Sequence, residues 1–363
     1  MALRPLCPRC EALPEGIPET GMLYLWFPLG HTFGKAARVL AQVLADRPQD
    51  LQLNAENALA IVPLACNLWE SLVSVLTERE CNHTKALWMP LGKTPQFEDF
   101  PRVTSLSQIM GLQAARWLLS LLSEHRLTSY FQPIVSTRNL TQIVAQEALL
   151  RGLDNAEVIA PGQILGAAKT AELLFQVDLA ARRSAIREAL RHEIPHRGQK
   201  VFVNFTPSSI YDPAFCLLST VEYINDTGTP HDQIVFEITE SERVDDINRL
   251  CDILDFYRGA GFGVALDDIG SGYSGLNLLH QVRPDYVKLD MELIRGVDGD
   301  SYKAVVARKI VEIAQELGIT TIAEGIETEA ELRWVQQSGI DLAQGYLLGK
   351  PAALPHQQIA FAV

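Results

Sequence analysis

The feature that most constrains the fold is a series of short apolar segments, each followed by a polar residue and separated from the next by a helical stretch. The apolar segments lie between residues 143 and 347, and the helical patterns between them include 178–192, 245–260, 302–317 and 329–338. This alternation is typical of successive βα units and a mostly parallel sheet. Residues 125–363 have the length of a (β/α)8 barrel. We therefore predict an α/β protein built on a TIM-like barrel.

Polar side chains stand where the predicted strands end. In a parallel barrel the carboxyl ends of all strands open on one face, so these side chains would converge over one mouth. A single carboxylate at a strand end is more often a helix cap or a surface residue than a ligand. Their occurrence at successive strand ends favours one shared site. The residues are Glu147, Asn204, Glu237, Asp267, Asp268, Lys288, Glu324 and Gln344.

The residue types at these positions predict a metal site. Packed carboxylates repel one another and gain protons unless divalent ions neutralise them. Oxygen ligands suit Mg²⁺ or Mn²⁺, whereas zinc prefers histidine and cysteine. Asp267 and Asp268 could flank two ions, the usual arrangement for phosphodiester hydrolysis. The glycine-rich segment 270–275 that follows is either a tight turn or a mobile lid over the site.

The charge and composition narrow the class of protein. The net charge of −13 argues against long nucleic acid as a partner, although local cations can still admit a small anion into one cleft. The 47% of hydrophobic and 21% of charged residues are typical of a globular protein with a core. Residues 1–10 lack the apolar stretch of a signal peptide, and the longest apolar runs are too short to span a membrane. We expect a cytoplasmic protein with reduced thiols.

A different pattern precedes the barrel. Residues 21–27 and 86–89 have strand composition, and 32–45 and 66–78 have helical spacing. A loop rich in proline and charge, residues 92–102, separates them from a helix at about 105–124. The predicted domains are a small α/β domain at 1–103, a connecting helix at 104–124 and the barrel at 125–363. The small domain is a candidate regulator of the barrel or a binding site for a protein partner.

The small domain also carries a cysteine pair. Cys7 and Cys10 form a CxxC motif, and Cys81 and His83 lie in the same domain. Three thiolates and one imidazole could hold a structural Zn²⁺. The alternative is a set of unlinked thiols near a frayed terminus.

The strand-end residues stand in short motifs whose order is informative. They are YFQPIV at 130–135, EALLR at 147–151, VNF at 203–205, EITE at 237–240, DDIGSGYS at 267–274, KLD at 288–290, EGIE at 324–327 and QGY at 344–346. Together they resemble the EAL family, the cyclic-di-GMP-specific phosphodiesterases, over residues 125–355. The sequence departs mildly from the family pattern at Gly152, Ile269, Ser271 and 348–350, and no ligand position is lost.

The resemblance implies a role for each motif residue. The metal ligands it implies are Glu147, Asn204, Glu237, Asp267, Asp268 and Glu324. The catalytic residues it implies are Lys288, Glu324, Glu147 and Asp267, with Lys288 positioning the attacking water and stabilising charge on the phosphate. The substrate-binding residues are Gln132, Leu149, Arg151, Asp268 and Gln344, and the supporting residues are Glu240 and Glu327.

The implied reaction is hydrolysis of cyclic-di-GMP to linear 5′-pGpG with two Mg²⁺ or Mn²⁺ ions. A homodimer through the barrel is also implied. One rival hypothesis is a catalytically inactive receptor that binds cyclic-di-GMP and signals to a protein partner. Loss of a ligand such as Glu147 would mark such a receptor, and Glu147 is present. A second rival is a hydrolase for another phosphodiester, such as a linear dinucleotide.

Overall fold

The computed structural model describes residues 11–64, 68–155, 157–207, 213–239, 247–270 and 275–359. These residues group into two compact units. The smaller unit consists of Leu13–Glu124 together with Gly162–Leu174. The larger unit contains the described residues of His125–Pro161 and Phe175–Val363, together with Glu11 and Ala12.

The smaller unit is an antiparallel sheet with helices. Its strands are β1 (Met22–Trp26), β2 (Gln52–Asn54), β3 (Leu59–Pro63), β4 (Lys85–Met89) and β5 (Thr104–Ser105), in the order β2-β3-β1-β4-β5. Its helices are α1 (Gly30–Val43), α2 (Leu68–Val73), α3 (Glu78–His83), α4 (Leu106–Ala114), α5 (Arg116–Ser123) and all but the first residue of α6 (Pro161–Thr170). Leu23 and Leu25 on β1 are fully buried, as are Ala36 and Leu40 on α1. The unit therefore has a hydrophobic core, and a small α/β domain at the N-terminal end is confirmed.

Of two helices predicted from the sequence, one is shorter in the structure and the other is interrupted. The pattern at 66–78 predicts one helix, but α2 ends at Val73 and α3 begins at Glu78. Thr77 starts α3 with a capping box, in which its side chain accepts a hydrogen bond from the Glu80 backbone while the Glu80 carboxylate accepts one from the Thr77 backbone. This reciprocal cap satisfies backbone donors that a new helix exposes. The predicted helix at 105–124 is interrupted at Ala115.

The larger unit is a closed eight-stranded barrel, as predicted. Its strands in order around the barrel are β6 (Leu127–Ser136), β7 (Ile143–Asp154), β9 (Lys200–Asn204), β10 (Ile234–Thr239), β11 (Gly263–Ile269), β12 (Tyr286–Leu289), β13 (Thr320–Ala323) and β14 (Leu342–Ala343). The short strand β8 (Glu157–Ile159) pairs with β7 outside the ring. The helices that follow are α7 (Leu174–Arg191), α8 (Pro213–Thr227), α9 (Ile247–Gly259), α10 (Gly275–Val282), α11 (Met291–Ile294), α12 (Ser301–Glu316) and α13 (Glu329–Gln337).

One strand runs against the others. β6 pairs antiparallel with both β7 and β14, whereas the pairs from β7 through β9 to β14 are parallel. A direct turn joins β6 to β7, and a parallel pair would have needed a long crossover between them. The prediction of a mostly parallel sheet is confirmed, with this exception.

The barrel interior is filled by an apolar layer below the mouth. Its buried members are Ile134, Ala145, Phe202, Val235, Ala265, Ile322 and Leu342. On the parallel strands, the polar residue at the mouth lies two positions later, as Glu147 follows Ala145. Because strand side chains alternate between faces, the two residues point to the same side of the sheet. Gln132 precedes Ile134 instead, since β6 runs in the opposite direction.

Candidate active site

Lys288 lies at the centre of the barrel mouth. Its side chain is 1% exposed. Its Nζ atom is 2.6 Å from Glu324 Oε1 and 3.3 Å from both Glu237 Oε1 and Asp267 Oδ1. Glu147 Oε2 is 3.5 Å away. Four carboxylates from four strand ends therefore surround one ammonium group, as the strand-end pattern predicts.

The charges in this cluster shift the proton affinities of its members. Burial raises the pKa of Glu237 and of Glu324 well above the ordinary value, and repulsion from neighbouring carboxylates opposes the lowering by Lys288. Burial also raises the pKa of Asp267. For Lys288, burial acts to lower the pKa, but the four carboxylates outweigh it and raise the pKa well above the usual value. The mouth therefore contains more carboxyl groups than one ammonium group can keep ionised, and a divalent cation would relieve their mutual repulsion.

Two amide side chains hold Glu147 in place. Asn204 Nδ2 donates to Glu147 Oε1 at 3.2 Å, and Gln344 Nε2 donates to Glu147 Oε2 at 2.6 Å. Burial acts to raise the pKa of Glu147, but Lys288 and these two amides together hold it below the ordinary value. Gln344 Nε2 also lies 3.2 Å from Gln132 Oε1, and Gln132 Nε2 donates to the Gly349 carbonyl at 3.1 Å. Glu147 is thus kept ionised in a fixed orientation.

The Asp267–Asp268 pair lies at a backbone irregularity. The register of β11 against β12 shifts between Leu266 and Ile269, and Asp268 has a left-handed φ of 59°. The Asp268 backbone N–H donates to Asp267 Oδ1 at 2.9 Å. Burial, aided by Asp267 and Asp290, raises the pKa of Asp268 to about 6. A β-bulge of this kind changes the direction of consecutive side chains, and it lets both carboxylates serve one site.

The residues at the mouth fit divalent metal ions. Asp267, Asp268 and Glu324 each offer an oxygen, and these oxygens lie within 4.8 Å of one another. Within the described part of the chain, neither oxygen of the fully buried Glu237 accepts a hydrogen bond. Because a buried carboxylate without such partners is costly, an ion beside Glu237 would satisfy it. The oxygen donor set suits Mg²⁺ or Mn²⁺.

The cleft above these residues contains some of the predicted substrate contacts. It has a volume of about 220 Å³ and is lined by Gln132, Glu147, Asp268, Asp290, Met291, Arg295, Glu324, Gly325, Glu327, Gln344, Gly345 and Tyr346. Leu149 and Arg151 lie further along β7 and are not in this lining. The Arg151 guanidinium stands 5.2 Å from the Tyr130 ring centroid. Glu327 pairs with Arg295, and Glu240 lies outside the described residues.

Sequence reasoning missed Asp290 and Tyr346 as lining residues. Asp290 is buried and caps α11, where its Oδ1 accepts a hydrogen bond from the Glu292 backbone at 2.7 Å. Both residues belong to motifs quoted from the sequence, Asp290 to KLD at 288–290 and Tyr346 to QGY at 344–346, so their place in these motifs was the available signal.

The zinc hypothesis gains no support from the residues that can be assessed. Cys7 and Cys10 lie outside the described residues. Cys81 is buried in α3, and His83 Nδ1 lies 2.8 Å from the Arg79 carbonyl. Across the described segments, no metal-binding group that includes Cys81 or His83 is found, and the group that is found is the carboxylate trio at the mouth.

The fold and the mouth define a barrel with an acidic, lysine-centred site of the kind that holds divalent ions. The EAL domain family model matches residues 115–351. The chain belongs to the EAL domain family.

Individual relatives share the barrel region. The probable cyclic di-GMP phosphodiesterase PdeG of Escherichia coli is 29% identical over 239 residues, which cover 62% of this chain and 44% of PdeG. The blue light- and temperature-regulated antirepressor BluF of the same organism is 28% identical over 221 residues, covering 61% of this chain and 53% of BluF. A standalone EAL protein of Vibrio cholerae, in its c-di-GMP-bound form, is 36% identical with a TM-score of 0.58, covering 64% of this chain and 95% of that one. The match thus extends over about half the length of these two curated relatives.

In the described part of the chain, no helix has both the length and the apolar character needed to cross a membrane.

Proposed function

We propose that this protein hydrolyses cyclic-di-GMP to linear 5′-pGpG in a reaction that depends on Mg²⁺ or Mn²⁺. The observation that carries the proposal is the convergence of four carboxylates on Lys288 Nζ at 2.6–3.5 Å. Two of the four, Asp267 and Glu324, form a trio with Asp268. The name of PdeG and the ligand of the Vibrio cholerae protein support the substrate.

The metal ligands we propose are Glu147, Asn204 and Glu237 for one ion and Asp268 and Glu324 for the other, with Asp267 shared. Bound divalent ions would polarise the phosphodiester and lower the pKa of water. Lys288 Nζ would orient the attacking water and stabilise the charge that develops on the phosphate oxygens. Water adds to phosphorus, the bond to the ribose 3′ oxygen breaks, and that oxygen leaves with a proton.

The substrate contacts we propose are Gln132, Leu149, Arg151 and Asp268, with Arg151 binding a phosphate. Gln344 is better placed to hold Glu147 and Gln132, since its Nε2 is 2.6 and 3.2 Å from them. Glu327 supports the cleft through Arg295. A role for Glu240 beside the Asp267–Asp268 segment stays a prediction, as do a homodimer, a cytoplasmic location and a regulatory or partner-binding role for residues 1–103.

The experiment is hydrolysis of cyclic-di-GMP by the purified chain with Mg²⁺ or Mn²⁺, with the product resolved by chromatography. We expect 5′-pGpG from the natural sequence, and none in chelator or from Glu147→Ala. Glu316→Ala, which removes an exposed carboxylate at the end of α12, should leave the rate unchanged. Absence of product from the natural sequence with either metal would refute the proposal.

The second candidate is a receptor that binds cyclic-di-GMP without hydrolysing it and signals to a protein partner. The name of BluF, an antirepressor, favours it. Tight calorimetric binding of cyclic-di-GMP without product would select this candidate. Release of 5′-pGpG would exclude it.

A further inference from the structure

A buried ion pair lies on α7, away from the cluster around Lys288. Asp178 and Arg182 are one helical turn apart, and their side chains are 6% and 1% exposed. Arg182 Nη2 is 2.9 Å from Asp178 Oδ2, and Arg182 Nε donates to the same oxygen at 3.0 Å. A buried pair of this kind offsets its desolvation only with close geometry and further hydrogen bonds.

Those further bonds come from two other helices. Arg182 Nη1 donates to Thr220 Oγ1 on α8 at 2.6 Å and lies 3.0 Å from Tyr257 Oη on α9. Thr220 and Tyr257 are fully buried. The guanidinium therefore links three consecutive helices of the barrel, and it fixes the position of Asp178.

The second carboxylate oxygen of Asp178 reaches the loop after β9. Asp178 Oδ1 accepts a hydrogen bond from the Thr206 backbone at 2.9 Å. The ring centroid of Phe205, the residue before Thr206, lies 6.0 Å from the guanidinium carbon of Arg182. The backbone N–H of Phe205 donates to the Glu237 carbonyl at 3.0 Å. The two residues that follow Asn204 are therefore tied to α7 on one side and to β10 on the other.

We propose that Asp178 and Arg182 are positioning residues for Asn204. By holding the backbone at Phe205 and Thr206, they keep the Asn204 amide where it contacts Glu147, at 3.2 Å. This inference rests on the proposed role of Asn204 as a metal ligand. Replacement of a residue that orients a metal ligand without contacting the metal typically changes metal affinity 10- to 100-fold.

The test is the dissociation constant for Mn²⁺, measured by calorimetry and by electron paramagnetic resonance of the free ion. We expect Asp178→Asn to weaken Mn²⁺ binding by about 10- to 100-fold. In an Asn204→Ala background the same change should weaken binding by less than about twofold, because the residue through which it acts is gone. A merely structural role would produce the same loss in both backgrounds.

A matched control separates positioning from general destabilisation. Thr137→Val removes a buried hydroxyl that donates to the Ile340 carbonyl at 2.6 Å, at the end of the barrel opposite the mouth. It should lower the unfolding temperature and leave the Mn²⁺ dissociation constant unchanged. If Asp178→Asn does not fold because the buried Arg182 has lost the carboxylate of Asp178, Asp178→Leu with Arg182→Met removes both charges. This double variant should also bind Mn²⁺ more weakly.

The inference would be overturned if Asp178→Asn or the double variant bound Mn²⁺ as tightly as the natural sequence does. It would also be overturned if Asp178→Asn lowered the Mn²⁺ affinity equally with and without Asn204. If the natural sequence binds Mn²⁺ but hydrolyses no cyclic-di-GMP, the proposed function is refuted. The present inference is still supported in that case if the effect of Asp178→Asn depends on Asn204. A natural sequence that binds no Mn²⁺ would overturn both.

Discussion

Replacing Lys288 with methionine removes the positive charge at the barrel mouth while keeping most of the side-chain volume. The four carboxylates around Nζ would then face one another in a buried site. At a separation of 3.3 Å and an effective dielectric of about 20, one ammonium–carboxylate contact amounts to ~5 kcal/mol before desolvation. Because the carboxylates can gain protons instead of remaining charged, the net loss is smaller than the sum of the contacts. Removal of one partner from a buried ion pair typically costs about 3–5 kcal/mol, and we expect that loss in chelator.

The loss should depend on pH and on metal. The folded-state pKa values of Glu237 and Glu324 lie well above the ordinary value of 4.5. The folded state therefore binds more protons than the unfolded state, and stability falls as pH rises above 4.5. Without Lys288 these pKa values rise further. The difference in the free energy of unfolding between the variant and the natural sequence should therefore be smallest near pH 4.5 and increase at higher pH. Mn²⁺ should reduce the difference, because it replaces the missing positive charge.

The assay is the free energy of unfolding of the larger unit, measured by urea unfolding in chelator and in Mn²⁺ at several pH values. Lys309→Met is the matched control, since the Lys309 side chain is 68% exposed and pairs only with Glu312 among the described residues. It should change stability by less than about 1 kcal/mol. A Lys288→Met variant as stable in chelator as the natural sequence, or one equally destabilised with and without Mn²⁺, would refute the account of the mouth as a cluster of mutually repelling carboxyl groups.

Further predictions concern three other positions. Glu237→Gln should raise stability in chelator by about 1–2 kcal/mol above pH 5, where the natural carboxylate is costly to ionise, and it should abolish the stabilisation by Mn²⁺ that we expect in thermal unfolding of the natural sequence. Glu80, whose pKa is lowered to about 2 chiefly by the Thr77 backbone and then by Lys35, stabilises the smaller unit above its ordinary pKa of 4.5. The stability difference from Glu80→Gln should therefore shrink as pH falls from 5 and disappear at about pH 1, below the folded-state pKa, in acid unfolding. Gly111→Ala should destabilise that unit by about 1–3 kcal/mol in urea unfolding, because its Cβ would collide with the Thr170 carbonyl.

Each of these predictions has an outcome that contradicts it. Mn²⁺ stabilisation retained in Glu237→Gln would exclude Glu237 as a ligand. A Glu80→Gln difference that keeps its full size at about pH 1 would mean that the carboxylate charge is not its source. For Gly111, the control is Gly166→Ala on α6, where a Cβ meets nothing within 4 Å. That change should stabilise by about 0.5–1 kcal/mol, and equal effects at the two glycines would rule out the collision.

The residues at the barrel mouth could be predicted because strand geometry is local. A period of two places Glu147 above Ala145 on the same face, and parallel strands bring such ends together whatever their separation in the sequence. The same reasoning identified Lys288 and the Asp267–Asp268 pair, because each follows a short apolar segment. The residue types alone then indicated oxygen ligands for a divalent ion.

The contacts that orient these residues depend on the closed barrel. Gln344 and Glu147 are 197 residues apart, and they meet because β14 pairs with β6 and β6 with β7. The antiparallel direction of β6 inverts its pattern, so Gln132 precedes its apolar neighbour Ile134 instead of following it. No local periodicity carries that information.

By itself, the sequence determined the fold class and the polar side chains at the barrel mouth, since these follow from the alternation of strands and helices and from the residue that ends each strand. Only the tertiary structure decided that Asn204 and Gln344 hold Glu147 from two sides, and that Asp178 reaches the Thr206 backbone from α7. The physical reason is that a hydrogen bond between distant segments depends on register, closure and helix packing together, whereas the face on which a strand residue lies depends on the backbone alone.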